Sequence, residues 1–363
     1  MINDNEKIAR IQLLRTEGIG PVTFWSIIKL FGSALSSVDK IPELSLRGGA
    51  KTPKQVFPKE LAEKEVKETI EMGGRIIFKE ESEYPRILKT INDPPPFLSV
   101  IGTIDNSKPT VAIIGARAAS LNAIKFTEKL SHELSDAGFN IISGFARGID
   151  YAAHKNAKST ISVFAGGIDV IYPPENEPLY SEILKKGAIL SESALHTKTH
   201  ATLFPRRNRI IAGIAQSIIV VEAALKSGSL ITAKFGLDYN RDIYAVPGFP
   251  EDPRCKGSNQ LIKNGATLLS SADDVINNIN IFNYSENIYD DSSFETEYCN
   301  EISESDLSKY RDQILSCLSS SPTLIDDIIQ QIGNSGIVMT ILVEYELAGK
   351  ISRVSGNKVI LNF

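Results

Sequence analysis

The stretch Val111-Ala-Ile-Ile-Gly115-Ala-Arg117 decides the fold, because four apolar residues run directly into a glycine and an arginine. A short apolar run bounded by glycine predicts a buried strand, and the periodic residues that follow predict a helix. The same alternation continues as far as residue 269. It predicts a parallel sheet covered on both faces, which is an extended Rossmann-like, doubly wound α/β domain.

The predicted elements of this domain follow one another regularly. Strands are expected at 111–114, 140–142, 160–164, 188–190, 217–222, 243–246 and 267–269. Helices are expected at 120–137, 150–158, 179–186, 207–216, 230–239 and 258–264. Ahead of the first strand, Asp93-Pro94-Pro95-Pro96 predicts an extended connector, since consecutive prolines fix the backbone and lack donors.

Smaller modules are predicted at both ends. Residues 1–72 show apolar residues near helical spacing, and Gly18-Ile19-Gly20-Pro21 fits either a plain turn or a helix-hairpin-helix phosphate contact. The Rossmann-like domain takes 73–275. Residues 276–306 hold eight acids and no Lys or Arg, which predicts an acidic linker. Residues 307–363 fit three helices and a hairpin, a winged-helix pattern.

Composition and charge limit the class of protein. With 42% hydrophobic and 23% charged residues, the chain of 363 residues resembles an ordinary globular protein. Its three cysteines are far apart, and no apolar run approaches the ~20 residues that span a bilayer. We therefore expect a cytoplasmic protein with no membrane contact. The net charge of −5 opposes nucleic-acid binding, but the acidic segment 276–306 accounts for it.

Loops that suit an anion follow several predicted strands. Ligands of open α/β sheets bind beyond the carboxyl ends of the strands, where glycine permits close backbone approach and helices begin. Each loop alone also fits an ordinary turn. Asp150 is expected to cap the next helix and to pair with His154. The loops contain Gly115, Ala116 and Arg117; Ser143, Gly144, Arg147 and Gly148; Gly166 and Gly167; and Ser227, Gly228 and Ser229.

The strongest basic cluster is Phe204-Pro-Arg206-Arg207-Asn208-Arg209. Glu and Asp are absent from 193 to 221, so we expect that these arginines cannot all pair with carboxylates and that the cluster stays unneutralised. Arginines beside an aromatic ring suit a sugar-phosphate backbone with a base stacked on Phe204. The alternative is a solvated basic face.

Sequence motifs for catalysis or cofactor binding are not found. The chain has no GxGxxG, no phosphate-binding P-loop, no Gly-x-Ser-x-Gly and no metal-ligand cluster. We therefore predict no cofactor and no metal. Glu222 could serve as a catalytic carboxylate, but we favour a role in capping a neighbouring backbone turn.

The C-terminal module lacks the charges expected of a DNA reader. A winged helix that reads DNA normally carries Lys or Arg on its recognition helix. The candidate helix, Ser335–Ala348, carries none and contains Glu344 and Glu346. We therefore expect this module to contact protein rather than DNA.

Taken together, the motifs resemble the DNA-processing protein A family, and they occur in the family's order from about residue 84 to 269. The matching phrases are Tyr84-Pro85, Asp93 to Pro96, Val111 to Arg117, Ser143 to Asp150, Tyr172-Pro173, Ser191-Glu192, Phe204 to Ala212, Val221 to Ala223, Ser227 to Ala233 and Val246 to Gly248.

This resemblance implies a protein that binds single-stranded DNA and is not an enzyme. It implies a homodimer that protects incoming DNA and helps load a RecA-type recombinase during natural transformation. The family's phosphate-contacting Gly-Ser-Arg maps onto Gly115, Ala116 and Arg117, and its basic run maps onto 204–209. Two departures are Ala116 in place of Ser and a shortened segment at 154–160.

Two enzyme functions are alternatives. The fold resembles LOG-type nucleotide phosphoribohydrolases, but their Pro-Gly-Gly-x-Gly-Thr-x-x-Glu run is not reproduced here. A nicotinamide-dependent oxidoreductase is disfavoured by the missing GxGxxG.

Overall fold

The computed structural model describes residues 2–279, 304–354 and 356–362. These residues form two compact units, divided between Lys64 and Glu65. The sheet unit runs from Glu65 to residue 279, and the end unit combines the N-terminal residues with those from 304 onward. Most of the predicted acidic linker lies outside the described residues. The predicted domain boundaries at 72, 275 and 306 stay predictions.

The N-terminal residues are helical, as expected. In these parts of the chain that the structure describes, no single helix is long and apolar enough to cross a membrane; only the bent pair Pro21–Phe31 with Ala34–Arg47 passes, by length and composition alone. The helices are α1 Asp4–Arg15, α2 Pro21–Phe31, α3 Ala34–Ser37, α4 Ile41–Arg47 and α5 Lys59–Glu71.

A nine-stranded sheet forms the centre of the sheet unit. Its strands are β1 Gly74–Phe78, β2 Phe97–Gly102, β3 Thr110–Ile114, β4 Asn140–Ser143, β5 Thr160–Val163, β6 Gly187–Ser191, β7 Ser217–Val220, β8 Asp242–Ala245 and β9 Thr267–Leu268. They lie in the order β1-β2-β6-β5-β4-β3-β7-β8-β9. All pairs from β6 to β9 are parallel, which confirms the doubly wound fold.

The helices of the sheet unit alternate with its strands. Alternate residues of β3 enter different cores: Ala112 and Ile114 pack on one face, and Val111 and Ile113 on the other. Both faces are therefore covered, which is why the strands are almost wholly apolar. The helices are α6 Leu121–Asp136, α7 Ile149–Asn156, α8 Glu177–Leu184, α9 Leu203–Ile214, α10 Gly228–Asp238, α11 Lys256–Lys263 and α12 Asp273–Ile276.

Two strands were not predicted, and they make the sheet mixed. β1 pairs with β2, and β2 pairs with β6, both antiparallel. The three prolines of the Pro-rich strip are buried, and the strip leads directly into β2. The Tyr84 hydroxyl, which is buried, donates to the carbonyl of Pro95 at 2.7 Å. Pairing direction is set by tertiary neighbours, so the apolar run of β2 did not reveal it.

The C-terminal residues form the expected winged helix. β10, β12 and β11 make a three-stranded sheet in that order. β11 and β12 pair antiparallel as the predicted hairpin. The elements are α13 Glu304–Ser316, β10 Thr323–Leu324, α14 Ile325–Ile332, α15 Ser335–Leu347, β11 Ile351–Val354 and β12 Lys358–Leu361.

The predicted pair of His154 with Asp150 is wrong. His154 is fully buried, and its Nδ1 lies 2.7 Å from the hydroxyl of Thr160. Thr160 donates that hydroxyl to the carbonyl of Ile141, so Nδ1 must be the donor to it. Among the described residues, Nε2 has no hydrogen-bond partner. Burial lowers the pKa of His154 to about 3.

We predict that His154 makes folding weaker in acid. The unfolded imidazole, with a pKa of about 6.5, takes up a proton that the folded one excludes, so stability is lost as the pH falls below that value. Between pH 7.5 and 5.5 the loss from this group is about 1.4 kcal/mol. Urea unfolding of the parent and His154→Gln at both pH values tests this. Equal pH dependence in the two proteins would contradict it.

Candidate nucleic-acid interface

A cavity of about 260 Å³ lies where the chain switches direction across the sheet. β3 is flanked by β4 on one side and β7 on the other, and the loops that follow β3 and β4 reach the cavity. Such a switch point is where open α/β sheets bind ligands. The lining residues are Ile114, Gly115, Ala116, Arg117, Ala146, Asp150, Phe204, Arg207, Asn208, Ile211, Ser227, Gly228, Ser229 and Thr232.

The lining therefore brings together part of each of four predicted sequence segments. The loop after β3, the start of α9 and the Ser-Gly-Ser segment at the start of α10 supply most of it. These segments are far apart in sequence, and parallel strand packing places them together. The predicted site residues that line the cavity are Gly115, Ala116, Arg117, Phe204, Arg207, Asn208, Ser227, Gly228 and Ser229.

Close backbone packing holds the first two loops together. Gly148 has φ +73°, and a Cβ there would lie 2.3 Å from the carbonyl oxygen of Ala116. Any side chain would push the loop after β3 away from the start of α7. The amide of Ile149 donates to the same Ala116 carbonyl at 3.2 Å. Gly148 thus positions the loop that carries Arg117.

An aromatic and cationic stack lies at the cavity. The guanidinium carbon of Arg117 is 4.7 Å from the ring centroid of Phe204, and the ring of Tyr172 lies 6.2 Å from that of Phe204. Arg117 is exposed and Phe204 is half-buried. Tyr172 is outside the cavity lining, and its contact with Phe204 was not predicted, although Tyr172-Pro173 belongs to the motif series. This arrangement offers a flat face with a positive charge above it.

Arg207 is buried beneath this stack. Its Nη1 donates to the carbonyls of Gly144 and, at 2.7 Å, Val163, and its Nε donates to the Asn208 side chain at 3.0 Å. A Cβ on Gly144 would lie 2.3 Å from that Nη1, so a larger residue there would displace the guanidinium. Burial lowers the pKa of Arg207 to about 10, which still leaves it cationic at neutral pH.

Arg209 corrects the prediction of an unpaired arginine cluster. It is buried, pairs with the carboxylate of Glu192, and donates to the backbone carbonyl of Asp93 at 2.7 Å. Burial acts to lower the pKa of Arg209, but the two carboxylates outweigh it and raise the pKa. These partners lie outside the acid-free segment, so sequence distance hid them. Arg209 therefore makes a structural ion pair.

The remaining predicted residues lie outside the lining. Ser143 is buried and donates to the carbonyl of Ile113 at 2.6 Å, and Arg147 is exposed and pairs with Glu175. Gly166 and Gly167 pack against the segment 194–199. Arg206 is exposed. The residues in this group are Ser143, Gly144, Arg147, Gly148, Gly166, Gly167, Arg206 and Arg209, and a DNA role for them stays a prediction.

Asp150 is the one carboxylate in the lining. It belongs to the first turn of α7 and does not cap it, because the cap residue is Gly148. Its carboxylate accepts the amide of Ala146 at 3.2 Å. Burial raises the pKa of Asp150. Sequence reasoning assigned it to capping because an Asp before a helix usually caps it.

Glu222 caps a backbone turn, the role that we favoured. Its two carboxylate oxygens accept the Ser120 amide at 2.9 Å and the Ser120 hydroxyl at 2.6 Å, next to the start of α6. Both oxygens of this carboxylate therefore already accept hydrogen bonds within the protein. Among the residues that the structure describes, no group of three or more His, Cys, Asp or Glu could hold a metal ion.

Family models match nearly the whole described chain. The DNA recombination-mediator protein A model matches residues 75–280. A DprA-like N-terminal helix-hairpin-helix domain matches 4–67, and a DprA winged helix domain matches 301–357.

Protein Smf of Escherichia coli is 32% identical over 301 residues, which cover 80% of this chain and 79% of that protein. Protein Smf of Synechocystis is 39% identical over 206 residues, 54% of this chain and 52% of the relative. The chain thus spans about half the length of the cyanobacterial relative.

Two solved structures are similar to the chain. DNA processing protein A from Streptococcus pneumoniae has a TM-score of 0.64 at 31% identity, over 77% of this chain and 99% of that one. The protein from Helicobacter pylori, solved for its single-stranded DNA binding mode, has a TM-score of 0.51 at 30% identity, over 56% and 94% of the two chains.

We predict that Arg209→Ala weakens folding and does not act as a loss of a phosphate contact. Removing one partner of a buried ion pair costs about 3–5 kcal/mol, because Glu192 and Asp93 lose their counter-charge. Urea unfolding of the sheet unit measures this loss. The control is Arg206→Ala, an exposed neighbour with the same charge, which should change stability by less than about 0.5 kcal/mol. Equal effects of the two substitutions would contradict the structural role.

Proposed function

Because the chain belongs to the DNA recombination-mediator protein A family, we propose that it binds single-stranded DNA at the cavity beside β3. One observation carries the proposal: the guanidinium of Arg117 lies over the ring of Phe204 at a cavity on the switch point of the sheet. A single strand needs cations for its phosphates and flat side chains for its bases. The guanidinium of Arg117 supplies the cation, and the ring of Phe204 supplies the flat side chain.

The phosphate contacts are assigned to Arg117, Arg206 and Arg207. Arg117 and Arg206 are exposed, and no ion pair of either is found within the described part of the chain. Arg207 lies at the cavity and adds a fixed positive charge beneath it. Backbone amides at the start of α10, next to Ser227 and Ser229, add donors of the kind that bind anions.

The base contact is assigned to Phe204, supported on one side by Tyr172. A base that stacks on an aromatic ring contributes about 1–3 kcal/mol and can be of any sequence. The Helicobacter pylori relative, a protein described by its single-stranded DNA binding mode, supports this choice of ligand. An unpaired base fits such a ring, whereas a duplex keeps its bases stacked on each other.

We extend the proposal to a role without catalysis. Glu222, the carboxylate that the sequence offered for catalysis, is outside the cavity lining and has both oxygens taken up by Ser120. Further elements rest on the family resemblance alone: protection of incoming DNA, delivery to a RecA-type recombinase, a homodimer and a cytoplasmic location. A base-release assay on nucleoside monophosphates tests the phosphoribohydrolase alternative, and sedimentation of the purified chain tests the dimer.

A salt titration with labelled single-stranded oligonucleotides tests the site. Each neutralised phosphate contributes about −0.7 to the slope of log affinity against log salt, so three arginines give a slope of about −2. Arg117→Ala should weaken binding to every sequence and flatten the slope by about 0.7. Phe204→Ala should lose about 1–3 kcal/mol with the slope unchanged, since stacking hardly depends on salt.

The matched control is Arg86→Ala, which removes an exposed arginine outside the cavity lining. It should leave affinity and slope close to those of the parent. The site assignment is overturned if the parent binds no single strand at low salt, or if Arg117→Ala behaves like Arg86→Ala.

A second test uses the carboxylate in the lining. Ionised Asp150 opposes a phosphate, and its raised pKa means that it becomes neutral on acidification sooner than an ordinary Asp. Affinity for single-stranded DNA should therefore rise as the pH falls toward that pKa. Asp150→Asn should bind more tightly than the parent at pH 7.5 and lose this part of the pH dependence. If the parent binds single-stranded DNA more tightly than Asp150→Asn at pH 7.5, the strand does not bind beside Asp150.

A further inference from the structure

The helix of the winged-helix module that would read DNA is covered by the other end of the chain. In helix-turn-helix modules the second helix enters the major groove, and α15 holds that position here. Its residues Val343 and Leu347 are buried, and they share a core with Phe24, Ile27 and Leu44 of α2 and α4. The covering residues lie about 300 positions earlier in the sequence.

Backbones approach closely at this contact. Gly48 follows α4 directly, and a Cβ there would lie 2.0 Å from the carbonyl oxygen of Glu344. Any larger residue at position 48 would force α4 and α15 apart. The short distance between the two backbones indicates a specific contact, because a loosely packed contact would not require glycine at position 48.

A hydrogen bond between polar side chains also joins α15 to the N-terminal helices. The hydroxyl of Thr23 donates to Glu346 Oε1 at 2.7 Å, and Nε of Arg353 donates to the other oxygen of Glu346 at 2.9 Å. Glu344 is fully buried and pairs with Arg311 at 3.0 Å. The two acids that make α15 unsuitable for DNA therefore have internal partners in this unit.

We propose that α15 is a protein-docking helix whose partner is the N-terminal helical module of the same chain. The winged-helix module then holds the two ends of the chain together and does not read DNA. This inference is independent of the proposed single-strand site, since it concerns only the end unit. Its physical consequence is that α2, α4 and α15 open together, as one cooperative unit.

Hydrogen exchange of the full chain, followed by mass spectrometry, tests the proposal. Val343→Ala removes apolar contacts that α15 makes with the N-terminal helices, so exchange should speed up by about tenfold or more in α2 and α4 as well as in α15. The matched control is Leu130→Ala, a buried apolar truncation in the sheet unit, which should leave these three helices unchanged. Faster exchange confined to residues 304–361 in Val343→Ala would overturn the docking.

Milder variants keep the test decisive if Val343→Ala fails to fold. Thr23→Val, Glu346→Gln and the double variant form a cycle across the contact, and the effects on exchange of α15 should be non-additive by more than about twofold. Additive effects would overturn the proposal. A duplex oligonucleotide added to the parent should leave exchange of α15 unchanged, and protection of α15 by duplex DNA would overturn it as well.

Discussion

The buried guanidinium of Arg207 is the interaction on which the site depends. It joins the carbonyl of Gly144, just after β4, to the carbonyl of Val163 at the end of β5, and it does so from α9. Hydrogen bonds from a charged donor contribute more than neutral ones, and an unsatisfied buried charge is costly. The ends of two strands and the N-terminal half of α9 are therefore held in one arrangement. Phe204 and Arg117 lie next to this fixed charge.

The three arginines of α9 lie in different surroundings. Arg206 is exposed, Arg207 lies under the cavity, and Arg209 pairs with Glu192 and Asp93. Successive helical residues point in different directions, about 100° apart, so neighbours in sequence meet different surroundings. One short basic run thereby supplies a solvent-facing cation, a cation fixed at the site and a structural ion pair. The basic run therefore combines an exposed cation with a structural ion pair.

The end unit follows the same logic with apolar contacts. Leu347 is buried by helices from the far end of the chain, and Thr23 hydrogen-bonds to Glu346. A winged helix is a small module, and an additional partner increases the apolar surface that it buries. Sharing α15 between two modules stabilises both. This explains why a helix in a DNA-reading position carries acids and no Lys or Arg.

The sequence by itself determined the parallel strands, the helices between them, the winged helix and most of the loops that reach the cavity. These features are local: apolar periodicity and glycine punctuation act within a few residues. Only the tertiary structure decided the rest. The partner of Arg209 at Asp93 is 116 residues away, β1 and β2 pair antiparallel at the sheet edge, and His154 bonds Thr160 and not Asp150. Which charges stay free depends on contacts between distant segments, and local sequence patterns carry no record of such contacts.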